Sequence, residues 1–204
     1  MSESYSTTVS SWVFAIYQAL NKQGVDGEII LRKCHLEIDD IQENNHRFAL
    51  KQVRHLWMES VAVTGNDAFG LQVVDYLDEK ALNALTTAIL VSKNIHEAIQ
   101  RLLRYYQVVS SGFSLVVHKE DHLVLELQHT PSGEFIAPEA VDAAFGIMVR
   151  DVRKLTDAKI NPTIIELTKS VPKQVVDYSQ FFQCPVHFNA KRNAISFPSL
   201  ILDL

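Results

Sequence analysis

The sequence predicts an α+β fold: a helical half over residues 1–110, then a mostly antiparallel sheet of about five strands with one long packed helix over residues 111–204. Three observations carry this expectation. Apolar residues recur at offsets of three and four as far as Tyr106, and from Gly112 the period shortens to two. Pro138 then opens another helical stretch between runs of strand character, so helices and strands are segregated. With 204 residues, 47% hydrophobic and 21% charged, the chain is long and apolar enough to bury a sizeable core.

Val9, Trp12, Val13, Ile16, Tyr17 and Leu20 give an amphipathic helix over Ser10 to Lys22, ending before Gly24. Leu50, Val53, Leu56, Trp57 and Val61 repeat the spacing. Gly65 stops that helix, and Asn66 offers a fresh N-cap for a helix over Asp67 to Leu77. Ala81 to Val91 is apolar nearly all round and reads as a central helix. Asn94 and Glu97 have capping-box spacing and precede the stripe Ile95, Ala98, Ile99, Leu102, Leu103 and Tyr106.

After Gly112, Phe113, Leu115 and Val117 form one alternating strand and Leu123, Leu125 and Leu127 another, with the turn at 119–121 making a hairpin. Pro138 starts a helix carrying Val141, Phe145, Met148, Val152 and Leu155. Thr163 to Thr168 is β-branched and reads as a strand, and Pro172 opens a short helix through Tyr178 to Phe181. Val186 with Phe188, and Ile195 with Phe197, flank residues 189–193 and read as a closing hairpin. The expected order is about six helices, two strands, a helix, a strand, a short helix and two strands. No linker divides the chain, so residues 1–204 are expected to form one unit with subdomains 1–110 and 111–204.

Charge and motifs narrow the function classes. Nineteen Lys+Arg against 24 Asp+Glu leave a net charge of -5, the wrong sign for a chain whose task is gripping phosphates. The amino terminus lacks the pattern of a secretory signal, and no apolar run approaches a membrane span. Cys34 and Cys184, two cysteines far apart, suit a reducing compartment. A cytoplasmic location without membrane contact is expected. The seven glycines are scattered and form no phosphate loop. His118 with His122, Cys34 with His35, and Cys184 with His187 have only weak metal-ligand spacing, so no metal and no cofactor are expected. No nucleophile has a catalytic surround, so no enzyme activity is expected.

A ligand pocket is expected instead at the seam between helices and sheet. Trp57 would form an apolar wall. Tyr105 and Tyr106, adjacent on a helix, point about 100° apart, so one packs while the other can bring its hydroxyl to the seam. Tyr106 continues the stripe from Ile99 and Leu103, which leaves Tyr105 the freer, but periodicity does not choose between them. His118 or Glu126 would supply a polar end if their strand face turns inward; an outward, solvated face is the ordinary alternative.

The tail carries Pro172, Tyr178, Phe181, Pro185-Val186-His187-Phe188, Asn193-Ala194-Ile195-Ser196-Phe197-Pro198 and Leu202-Asp203-Leu204. It resembles the end of the arabinose-binding-like sensor domain in a branch of AraC-type transcription regulators. Upstream, Thr64-Gly65-Asn66-Asp67-Ala68-Phe69-Gly70-Leu71 is similar to that family's Thr-Gly-Asp-Pro-x-Phe-Gly-Leu but lacks the proline. Ser92 to Tyr105, with Ala98 and Leu102, is similar to its Ser-Pro-Thr-Leu-x-x-Ala-Leu followed by Arg-Tyr; Lys93, Asn94 and Ile95 depart from it. The resemblance implies a ligand-sensing domain that forms a homodimer and controls an attached helix-turn-helix domain in response to an unidentified small-molecule effector. That DNA-binding domain is expected after Leu204, so DNA is expected as a partner only through it. The alternative is an interaction or dimerisation module with no small-molecule ligand.

Overall fold

The computed structural model describes residues 6–43, 46–77, 87–89, 91–119, 121–130, 136–156 and 160–203. Its first half is helical. Strand β1 (Thr7–Val9) runs directly into α1 (Ser10–Lys22), and β2 (Arg47–Ala49) runs directly into α4 (Leu50–Thr64). The two strands pair antiparallel, which fixes the starts of both helices side by side. Between them lie α2 (Gly27–Lys33), capped by the Asp26 carboxylate accepting from the Glu28 and Ile29 N–H groups, and α3 (Ile38–Gln42). Neither these short helices nor the small β1–β2 pair was legible from periodicity, because each is too short to show a repeat.

Gly65, at φ 64°, ends α4 in the left-handed conformation that glycine adopts without strain. The predicted helix over Asp67–Leu77 is divided into α5 (Phe69–Val73) and a 3-10 turn over Val74–Tyr76. Arg150 donates to the carbonyls of Val74 and Leu77, satisfying groups that a continued helix would have used itself. The expected helix over Ala81–Val91 falls largely outside the described residues; within it, 87–89 are helical. Helix α6 (Ile95–Val109) follows, with the Asn94 side chain accepting from the Glu97 N–H at 2.8 Å.

The second half begins with β3 (Phe113–Lys119) and β4 (His122–His129), an antiparallel hairpin. Helix α7 (Pro138–Leu155), β5 (Ile164–Glu166), α8 (Val175–Phe182), β6 (Val186–His187) and β7 (Asn193–Pro198) complete the fold. The sheet order is β3-β4-β7-β5-β6, antiparallel except for the β5–β6 pair. This is the expected α+β architecture with its long packed helix.

The closing hairpin is a correction. Strands β6 and β7 do not pair with each other, because β5 lies between them, parallel to β6 and antiparallel to β7. Alternation identifies a strand without naming its neighbour. The central position covers Ile165 on both edges and leaves it fully buried beside Ile195.

Helix α7 is the hub. Its Ala143 and Ile147 join the core of the helical half, while Val141, Phe145 and Val149 join the core on the sheet. Burial on nearly every side lets one helix cement two layers. Gly70 permits the closest approach: a Cβ there would lie 2.2 Å from the Glu139 carbonyl oxygen.

Candidate functional site

Two adjoining cavities lie at the seam between the helical half and the sheet. The larger, of about 90 Å³, is walled by α6 (Ile95, Ala98, Ile99, Leu102), by α7 (Ala144, Ile147, Met148, Asp151), by Leu125 of β4 and by Trp12 of α1. The smaller, of about 40 Å³, lies between α4 (Val53, Trp57), the start of α7 (Ala137, Ala140) and Thr8, Ser110 and Phe113. Trp12, Tyr106 and Ala144 line both. The helical stripes explain the walls: Ala98, Leu102 and Tyr106 recur along one face of α6, and Ala144, Met148 and Asp151 along one face of α7.

The residues expected at the pocket separate into two groups. Trp57 is buried edge-on to Phe69, with ring centroids 6.1 Å apart, and lines the smaller cavity. Tyr106 is buried and forms a wall common to both cavities, whereas Tyr105 is 41% exposed and lines neither. The structure thus distinguishes the two tyrosines that periodicity left open: the one that continues the apolar face is the one at the cavity. Among the described residues none hydrogen-bonds the Tyr106 hydroxyl. Burial pushes the phenol well above its ordinary range, so it stays a neutral donor.

His118 and Glu126 lie elsewhere. Leu123, Leu125 and Leu127 of β4 face the core, so Glu126 projects from the opposite face, and His118 shares that face across the hairpin. There His118 Nε2 lies 3.0 Å from Glu126 Oε2, and Gln128 donates to Glu126 Oε1 at 2.9 Å. The Gln128 hydrogen bond and then the His118 contact hold the Glu126 carboxyl below its ordinary range. This face does not turn inward, so neither residue is a polar end of the cavities.

Asp151 and Trp12 were missed. Asp151 was detectable as an acid interrupting an apolar helix face, since it follows Met148 by three residues. Its Oδ1 lies 3.1 Å from Arg150 Nε, and the same guanidinium grips the 3-10 turn through the Val74 carbonyl at 2.9 Å. The cavity wall is therefore wired to the helical half. Cys34 is buried and Cys184 half-buried, and burial pushes each thiol up to about 11, which suits packing rather than nucleophilic chemistry. Among the described residues, no group of three or more His, Cys, Asp or Glu is placed to hold a metal ion. Nor is any helix among them long and apolar enough to cross a membrane.

A second polar cluster joins the two halves. Lys169 Nζ donates to Asp142 Oδ2 (2.8 Å), Tyr178 Oη (2.7 Å) and the Asp67 carbonyl (3.0 Å), and Tyr178 Oη donates to Asp142 Oδ2 at 2.6 Å. Asp142 and Tyr178 are fully buried. Burial raises the Asp142 carboxyl to about 6, against the opposing pull of Lys169 and Tyr178.

Comparison with known families bears on this arrangement. Residues 24–204 match the family model described as the arabinose-binding domain of AraC transcription regulators, N-terminal. The chain belongs to this family. No curated protein matches it. Among solved structures it is similar to the crystal structure of transcriptional regulator CdpR from Pseudomonas aeruginosa, with a TM-score of 0.60 at 14% identity. That likeness is one of fold and covers 92% of this chain and 56% of the CdpR chain, so the chain spans just over half that regulator's length.

Within this arabinose-binding-family domain, two of the segments that carried the resemblance, residues 64–71 and the tail from Pro172, meet at the second cluster, while the third supplies Ala98 and Leu102 to the apolar wall of the larger cavity. Asp67 accepts from the Lys173 N–H at 3.1 Å, its own N–H donates to Gln174 at 3.1 Å, and Phe188 packs edge-on to Tyr178. These motifs hold the domain together. They contain none of the cavity's polar groups, which is why they identify the family without identifying its ligand.

Proposed function

We propose that residues 1–204 form one effector-sensing and dimerisation unit of an AraC-type transcription regulator. It acts without catalysis, in the cytoplasm, and controls an attached helix-turn-helix DNA-binding domain in response to a small molecule. The observation that carries this reading is the pair of cavities at the seam, whose walls come from both halves of the fold. A ligand held there touches α1, α6 and α7 together, so it favours one arrangement of the halves over another. Only such differential binding shifts an equilibrium. Homodimer formation is supported by Tyr105 and Val108, which are apolar, exposed and one turn apart on α6.

The alternative, an interaction module without a small ligand, draws support from exposed Val171, Val175 and Val176 around the start of α8. A thermal-shift screen of the chain against small metabolites separates the two, because any binder of the native state raises Tm by mass action. The sensor reading expects shifts that disappear when the cavity is filled by Ala98→Leu or Ala144→Leu. Shifts that survive both substitutions, or no shift with any metabolite, would overturn it.

A further inference from the structure

We infer that the effector is a small, mostly apolar, uncharged molecule with a single hydrogen-bond-accepting head, and not a sugar. The inference rests on the sensor reading and specifies the chemistry of the same site. The larger cavity is walled chiefly by Ile95, Ile99, Leu102, Leu125, Ile147 and Met148. A pentose carries a hydroxyl on nearly every carbon, and such a wall would leave most of them buried without partners, which binding cannot tolerate.

Charge is excluded by a separate argument. Asp151 is the one carboxylate or cationic group among the described residues that line the larger cavity, and Arg150 Nε already lies 3.1 Å from its Oδ1; the exposed Arg54 lines only the smaller one. In the larger cavity a carboxylate ligand would enter a low-dielectric space beside a carboxylate, with no cation on that wall. A cationic ligand would compete with a guanidinium already in place.

The head group is specified by Tyr106. It is 8% exposed and lines both cavities, and its hydroxyl has no hydrogen-bond partner among the described residues. Because burial keeps the phenol protonated, it offers an O–H to an acceptor such as a carbonyl, ether or hydroxyl oxygen. A cavity of roughly 150 Å³ with apolar walls accommodates benzene. The 90 Å³ here, even with the 40 Å³ chamber beyond Tyr106, falls somewhat short of that volume, which limits the ligand to no more than one small ring or a short branched chain.

The test uses four probes on the whole chain, cyclohexanone, toluene, L-arabinose and hexanoate, followed by ligand-observed NMR titration. Cyclohexanone and toluene are expected to bind, and L-arabinose and hexanoate are not. Tyr106→Phe is expected to weaken cyclohexanone by about tenfold while leaving toluene unchanged. Equal effects on cyclohexanone and toluene would overturn the role of the hydroxyl. Binding of L-arabinose or hexanoate that is lost in Ala98→Leu would overturn the ligand class and leave the sensor reading standing. Silence from all four probes overturns the ligand class, and silence from the metabolite screen as well overturns both.

Discussion

Replacing Lys169 by Met removes the cation from the buried cluster while keeping most of the side chain's apolar stem. In the folded protein Lys169 is 9% exposed and its three N–H donors meet Asp142, Tyr178 and the Asp67 carbonyl, with Glu139 Oε1 a further 3.7 Å contact. Asp142 is 0% exposed, and its Oδ1 has no partner among the described residues, so the ammonium is what offsets its charge. Removing one partner of a buried ion pair costs about 3–5 kcal/mol, because the other charge is left uncompensated. The cost must depend on pH. Asp142 titrates at about 6 in the fold and at its ordinary lower value when unfolded, so its contribution is fully present below the unfolded pKa and is lost as pH rises through the folded one. Lys169→Met raises the folded value further and extends that loss upward. Urea unfolding followed by circular dichroism should show a deficit of about 3–5 kcal/mol at about pH 7.5, shrinking to about 1 kcal/mol at about pH 5, where Asp142 is protonated in both proteins. Asp142→Asn in the Lys169→Met background should remove the pH dependence. A deficit that is the same at both pH values, or below about 1 kcal/mol at the higher one, would refute the reasoning.

Gly70→Ala drives a Cβ to 2.2 Å from the Glu139 carbonyl oxygen, a backbone atom that cannot swing aside, so α5 and α7 must separate. A loss of about 2–3 kcal/mol is expected in thermal unfolding, and an unchanged Tm would contradict the packing. Phe197→Ala empties a fully buried site and should cost about 3–5 kcal/mol, whereas Phe188→Ala, half-buried against Tyr178, should cost about 1–3 kcal/mol. Denaturant titration of the two variants that reversed this order would place Phe188 in the main core. Tyr106→Phe removes a hydroxyl that has no partner among the described residues from an otherwise buried side chain, so stability without ligand should stay within about 1 kcal/mol of the parent or rise. A larger drop on chemical denaturation would reveal a partner for that hydroxyl.

Local chemistry made much of this domain legible in the sequence. The stripe Val13, Ile16, Leu20 gave α1 with its observed bounds, Gly65 ended α4, and Pro138 began α7, because helix period, left-handed glycine and the fixed φ of proline all act within one or two turns of chain. Gly112 likewise marked the change from helix to hairpin. Tertiary structure alone decided the neighbours. Ile165 occupies the place between β6 and β7 that the apparent hairpin would have closed, since strand pairing depends on which edges meet after collapse. It decided that Tyr106 rather than Tyr105 stands at a cavity, and that His118 and Glu126 pair on the outer face, because a sheet's two faces are equivalent until a helix covers one. It also decided the ion cluster: Asp67, Asp142, Lys169 and Tyr178 are dispersed along the chain, and only packing brings them close enough for each to offset the cost of burying the others.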